Sequence, residues 1–79
     1  MRPPAYEVRG RVVARPAADM LLLRHEAVKA LGMTAMELMA VFGKPAVLDA
    51  SGVRPGDEVR LAVRQQDDRL VVLRIERQP

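Results

Sequence analysis

The sequence contains no cysteine and no tryptophan, a single histidine (His25), one serine (Ser51), one threonine (Thr34) and only two aromatic residues, Tyr6 and Phe42. Without cysteine there is no disulfide framework, no thiolate zinc site and no thiol nucleophile. The redox compartment stays open on this feature alone. One histidine, one turn serine and one threonine do not assemble a nucleophile with an adjacent base, so the chain does not read as an enzyme. Long apolar runs are missing too: "MLLL" at 20–23 and "LMAVF" at 38–42 fall far short of the roughly 20 residues that span a bilayer. The opening "MRPPAYEVRG" has no apolar segment of the signal-peptide kind. The expectation is a soluble protein without membrane insertion, whose core is packed by aliphatic side chains and methionine.

What is present is a chain of 79 residues, 49% of them apolar. That content is globular rather than disordered. A chain this short makes one domain and buries roughly 60% of the surface its unfolded state exposes. Thirteen basic and ten acidic residues leave a net charge of +3. The two signs are interspersed, which supports only a weak lean toward nucleic acid.

Residues 1–5, with two prolines, read as a loose arm, and residues 6–77 as the single domain. "YEVRGRVVA" alternates, with Val8 and Val12 on one face and Arg9 and Arg11 on the other, and Gly10 between them predicts a bend or bulge. "RPAAD" turns into "MLLLRH", where Leu21, Leu23 and His25 share a face. In "DEVRLAVRQ", Val59, Leu61 and Val63 alternate with Glu58, Arg60, Ala62 and Arg64, which predicts a strand buried on one side. The turn "RPGD" enters it and the polar "QQDDR" leaves it for the β-branched run "LVVLRIE", so the two segments predict an antiparallel hairpin. "KPAVLDASGVRPG" reads as a loop with one helical turn at "PAVLDA", closed by Gly52.

The middle of the chain supports two readings. Propensity favours a helix from Glu26 to Phe42 interrupted at Gly32, with Met33, Met36 and Met39 on one stripe. The flanking short strands instead favour a strand over "MELMAVF", with Met36, Leu38, Ala40 and Phe42 on one face. Periodicity alone does not choose between them.

The order of these segments, with "LLLRHEAV", then "LGMTAM", a following strand and "VRPGDEVRLAVRQQDDRLVVLRIE", resembles the periplasmic copper- and silver-binding CusF family from Tyr6 to Arg77. The most specific part is the histidine followed at this spacing by "LGMTAM". The resemblance implies an all-β fold, a small five-stranded closed barrel of OB type, and makes "MELMAVF" a strand and "EAVKALG" a loop or short turn. It implies a metal site in which His25, ending the second strand, and Met36, opening the third, are ligands. Met33 falls where the family often has a tryptophan. Leu38 replaces the family's second methionine, and a one-residue bulge in the third strand would let Met39 take its place. The resemblance further implies a monomeric periplasmic metallochaperone, with its export signal outside this sequence, that passes Cu(I) or Ag(I) to a heavy-metal efflux adaptor or pump.

The chemistry agrees with that implication. Thioether sulfur and imidazole nitrogen suit soft cations and hold hard divalent ions poorly. Methionine has no proton to lose and forms no disulfide, so such a site withstands an oxidising compartment. Neutral imidazole is the binding form, so affinity is expected to fall below a pH of about 6.5, the unperturbed histidine value. Set against this, a lone histidine at a strand end is ordinarily a surface or satisfied core residue, and methionine is ordinarily core filler, the role expected of Met1 and Met20. The alternative functions are an OB-type interaction module that docks on an efflux adaptor without metal, and a weak single-strand nucleic-acid binder using Arg9, Arg11, Arg60 and Arg64. The second has few aromatic platforms to work with.

Overall fold

The computed structural model describes residues 4–35 and 37–79. Its elements, in chain order, are β1 (Ala5–Ala17), β2 (Met20–His25), a 3-10 turn (Lys29–Leu31), β3 (Glu37–Phe42), α1 (Pro45–Ser51), β4 (Glu58–Gln66) and β5 (Arg69–Arg77). The five strands close into a barrel in the order β1-β2-β3-β5-β4. The sequence expectation of a small all-β barrel is met, and "MELMAVF" resolves as strand over its described residues.

Alternation builds the core. Val8 and Val12 on β1, Leu21 and Leu23 on β2, Met39 and Val41 on β3, Val59, Leu61 and Val63 on β4, and Val72 and Ile75 on β5 all point inward and are buried. Each fully buried aliphatic side chain of this kind stabilises the fold by about 1.5–3 kcal/mol. Leu48 of α1 is also buried in this cluster. The helix starts at Pro45, a residue pre-set for a first helical position, and ends where Gly52 adopts a left-handed φ of 68°. Ala62 departs from the simple reading of β4. It lies on the outer face yet is only 7% exposed, next to a register shift between β4 and β5 at Ala62/Val63.

Gly10 corrects another expectation. It sits in regular pairing on both sides, opposite His25 on β2 and Val59 on β4, and the two irregularities in the β1–β2 pairing fall later, between Val12 and Ala14 and between Ala14 and Ala17. Its glycine answers to crowding rather than bending: a Cβ there would stand 2.3 Å from the Arg24 carbonyl oxygen and 3.0 Å from the His25 Cα. The strand backbones approach too closely for any side chain.

Pairing around the barrel is uneven. β1 and β4 run in continuous antiparallel register from Ala5↔Arg64 to Arg11↔Glu58, and β2 and β3 do so from Met20↔Phe42 to His25↔Glu37. By contrast, β3 meets β5 in a parallel pairing with a single registered pair, Phe42↔Val71. There the Arg69 guanidinium lies over the Phe42 ring, 4.5 Å from its centroid.

Candidate metal centre

His25 closes β2 on the inward face set by Leu21 and Leu23, and its side chain is completely buried. The sequence placed the ring at the edge of an apolar patch; the structure encloses it. Its Nδ1 lies 2.6 Å from the carbonyl oxygen of Glu26. A carbonyl only accepts, so Nδ1 carries the proton, and in the neutral ring Nε2 holds the free lone pair. Nε2 is buried and has no hydrogen-bond partner among the described residues. A buried polar atom left in this state costs on the order of 1–3 kcal/mol. Tying one imidazole nitrogen to a backbone carbonyl while presenting the other is the usual arrangement of a metal-binding histidine.

The segment after β2 folds back on itself. Val28 and Met33 form an isolated antiparallel bridge, closed by bonds from Val28 N to Met33 O (3.0 Å) and from Met33 N to Val28 O (3.1 Å). The 3-10 turn lies inside that bridge, and Gly32 ends it in a left-handed conformation. Met33 is thereby returned to the chain just beyond His25, half-buried and packed against the core. Further on, the Thr34 hydroxyl donates to Glu37 Oε1 at 2.6 Å, fixing the approach to β3.

On β3, Met39 is inward and 3% exposed. His25 stands opposite Glu37, and Leu23 opposite Met39. Met39 is therefore the diagonal neighbour of His25 on the inward face, a relation that long side chains can bridge. No bulge is needed for this, since β3 pairs with β2 without a register shift from Glu37 to Phe42. The bulge that would move Met39 into the place of Leu38 is therefore absent from the β2–β3 pairing. Leu38, opposite Arg24, faces outward and is 53% exposed. Met36 lies outside the described residues.

The candidate donors the structure describes are soft or borderline: the imidazole of His25 and the thioether of Met39, diagonal neighbours on the inward face, with Met33 packed against the core beyond the strand end. Among the described residues no group of three or more His, Cys, Asp or Glu side chains could hold a metal. Hard divalent ions call for several oxygen ligands, so this donor set fits a soft monovalent cation better. Sequence reasoning missed two participants. The Glu26 carbonyl is a backbone group with no sequence signal, whereas Gly10, the one glycine of β1, was visible but assigned the wrong role.

Comparison with known proteins accords with this geometry. No curated protein matches the chain. Among solved structures, apo-CusF residues 6–88 from Escherichia coli superposes with a TM-score of 0.86 at 18% identity, covering 99% of this chain and 92% of that one. A silver-bound form, CusF-Ag(I) residues 10–88 from Escherichia coli, gives 0.80 at 17% identity, covering 99% and 96%. A further crystal structure of Ag(I)CusF gives 0.82 at 16% identity, covering 96% and 100%. At these identities the superpositions establish the fold. The family model described as copper binding periplasmic protein CusF matches residues 5–77, and the chain belongs to that family.

Proposed function

We propose that this protein binds Cu(I) or Ag(I) through His25 and Met36, with Met33 or Met39 as the third donor, in the periplasm, and passes the ion to a heavy-metal efflux adaptor or pump. The ion is cargo rather than a resident cofactor. The observation that carries the reading is His25: a fully buried ring with Nδ1 held by the Glu26 carbonyl and Nε2 without a partner. A lone pair aimed into an apolar enclosure has little to recommend it structurally, and a bound soft cation would offset its cost.

Each part of the chain then has a chemical role. The Glu26 carbonyl fixes the ring orientation and tautomer. Leu21, Leu23 and Val41 form a dry wall that keeps water from competing for the ion. Thioethers are neutral, so binding a monovalent ion leaves one positive charge in the site and does not release protons from sulfur. Neutral donors exchange one at a time with an incoming ligand, which suits delivery more than storage.

The single-strand nucleic-acid alternative has less support. Phe42 carries Arg69 across its ring, and Tyr6 is half-buried and packs against the core. Neither aromatic is displayed as an open stacking platform.

The decisive experiment is a titration with Ag(I) followed by NMR of the His25 ring and the five methionine methyl groups. Saturable shifts at His25, Met36 and one of Met33 or Met39 are expected. His25→Ala should weaken binding by at least about tenfold, as loss of a principal ligand does. Unmoved ring and methyl signals at excess silver would end the metal reading.

A further inference from the structure

The outer face of the sheet formed by β1, β4 and β5 is organised around Ala62. Along β4, Arg60 and Arg64 flank it on the same side. Across the ladders it stands opposite Glu7 on β1 and Arg74 on β5. Ala62 is covered to 7% exposure although it faces outward, while Arg60 and Arg64 are half-buried. The Nε atoms of Arg60 and Arg64 are themselves buried and lack hydrogen-bond partners among the described residues. The long arginine stems therefore lie against the sheet and cover Ala62, as amphipathic side chains do.

The charges on this face do not cancel. Arg11 is fixed by Glu58 at 2.6 Å, and Arg60 approaches Glu7 at 3.5 Å, close enough for attraction but without hydrogen-bond geometry at Nε. Among the described residues, Arg9, Arg64 and Arg74 have no ion-pair partner. Arg60 stands in register between Arg9 on β1 and Glu76 on β5, so its charge is partly met within the sheet, whereas Arg64 and Arg74 face no carboxylate directly across the ladders.

We propose that this face is a docking surface for an acidic protein segment, one whose Asp or Glu carboxylates pair with Arg9, Arg60, Arg64 and Arg74. Planar guanidinium groups match carboxylates in two-point hydrogen bonds, and their weak hydration makes them suited to interfaces. A nucleic-acid occupant is disfavoured because no aromatic side chain occupies the rows around Ala62. The face contains no residue of β2 or β3, so the proposal goes beyond metal binding and stands independently of it.

An oligo-glutamate peptide serves as the probe, titrated into the metal-free protein at low salt while the arginine Nε–Hε and backbone amide NMR signals are followed. Saturable shifts confined to Arg9, Arg60, Arg64, Arg74 and the β4 amides are expected. The double variant Arg64→Gln/Arg74→Gln should weaken binding by about fivefold or more, as loss of exposed charge pairs would. Arg54→Gln, in a turn off this face, should leave it unchanged, and far-ultraviolet circular dichroism would verify that all variants fold. Shifts spread over all basic residues, equal weakening by Arg54→Gln, or tighter binding of oligothymidylate or anionic vesicles than of the peptide would each overturn the proposal. Because no metal is present, its failure leaves the silver titration untouched.

Discussion

The wall made by β1, β4 and β5 and the end made by β2, β3 and the loop between them are built on different terms. The wall is held by two continuous antiparallel ladders, Ala5↔Arg64 to Arg11↔Glu58 and Val59↔Arg77 to Gln66↔Arg69, the second with one irregularity at Ala62/Val63. The other end has one continuous ladder, between β2 and β3, and then a seam where β3 touches β5 through Phe42↔Val71. The candidate donors His25, Met33 and Met39 all lie on the less tightly paired side. A scaffold fixed on one flank and lightly closed on the other can admit an ion and exchange its ligands without unfolding.

Gly10 joins the two regions, and a change there gives the largest expected effect. Gly10→Ala puts a Cβ against a backbone carbonyl, which has no rotamer to escape into. A loss of about 3 kcal/mol or more is expected from urea denaturation, the magnitude of a severe core clash. Because Gly10 pairs with His25, the same variant should also displace the His25 ring signals. A near-neutral stability change would mean that β1 and β2 can separate cheaply and that the two regions are less coupled than their pairing indicates.

Met39 provides the next test, since it lies in the core cluster and beside His25 at once. Met39→Ala should cost about 2–4 kcal/mol through the cavity it leaves. Met39→Leu conserves volume and should cost less than about 1.5 kcal/mol. If Met39 is the third donor, the leucine variant weakens silver binding while remaining folded. If Met33 is the donor, Met33→Leu does so and Met39→Leu leaves affinity unchanged. This pair separates packing from ligation in a way that alanine substitution does not.

How far the sequence revealed these regions follows from their chemistry. β4 was legible because Val59, Leu61 and Val63 alternate with charged residues, a pattern compatible only with a one-sided strand. The segment 37–42 was not legible from periodicity, because alanine, leucine, methionine and glutamate suit a helix, and its pairing with β2 makes it a strand. His25 was placed on the correct face by its parity with Leu21 and Leu23, but its depth depends on closure of the barrel, which no local pattern encodes. Gly10 was misread because a lone glycine signals either a bulge or a close backbone approach, and the two are distinguished only by what lies across the strand. Met39 reaches the inward face by simple alternation from Val41, opposite to Leu38, and the bulge that would exchange the two is absent.

Leu38 tests the outward side of β3. Being 53% exposed, it contributes little to the core, and Leu38→Ser should change stability by no more than about 0.5 kcal/mol. Thermal denaturation monitored by circular dichroism would check this. A substantially larger loss would show that Leu38 is covered in solution by something absent from the isolated barrel, and size-exclusion chromatography at several concentrations would then reveal self-association.

The smallest effect is expected at the seam. Arg69 over Phe42 is a cation–π contact on a half-buried ring, worth about 0.5–1 kcal/mol, and Arg69→Gln removes it while leaving the Phe42↔Val71 backbone pairing in place. Global stability should fall by no more than that amount. Amide exchange should respond more selectively, with faster exchange along β3 and the first residues of β5 and little change in β1 and β4, since the seam can open without disturbing the ladders of the wall. Uniformly faster exchange in every strand would show instead that the barrel opens as one unit. The contrast between a fixed wall and a lightly closed end would then describe pairing alone and not the motions that admit an ion.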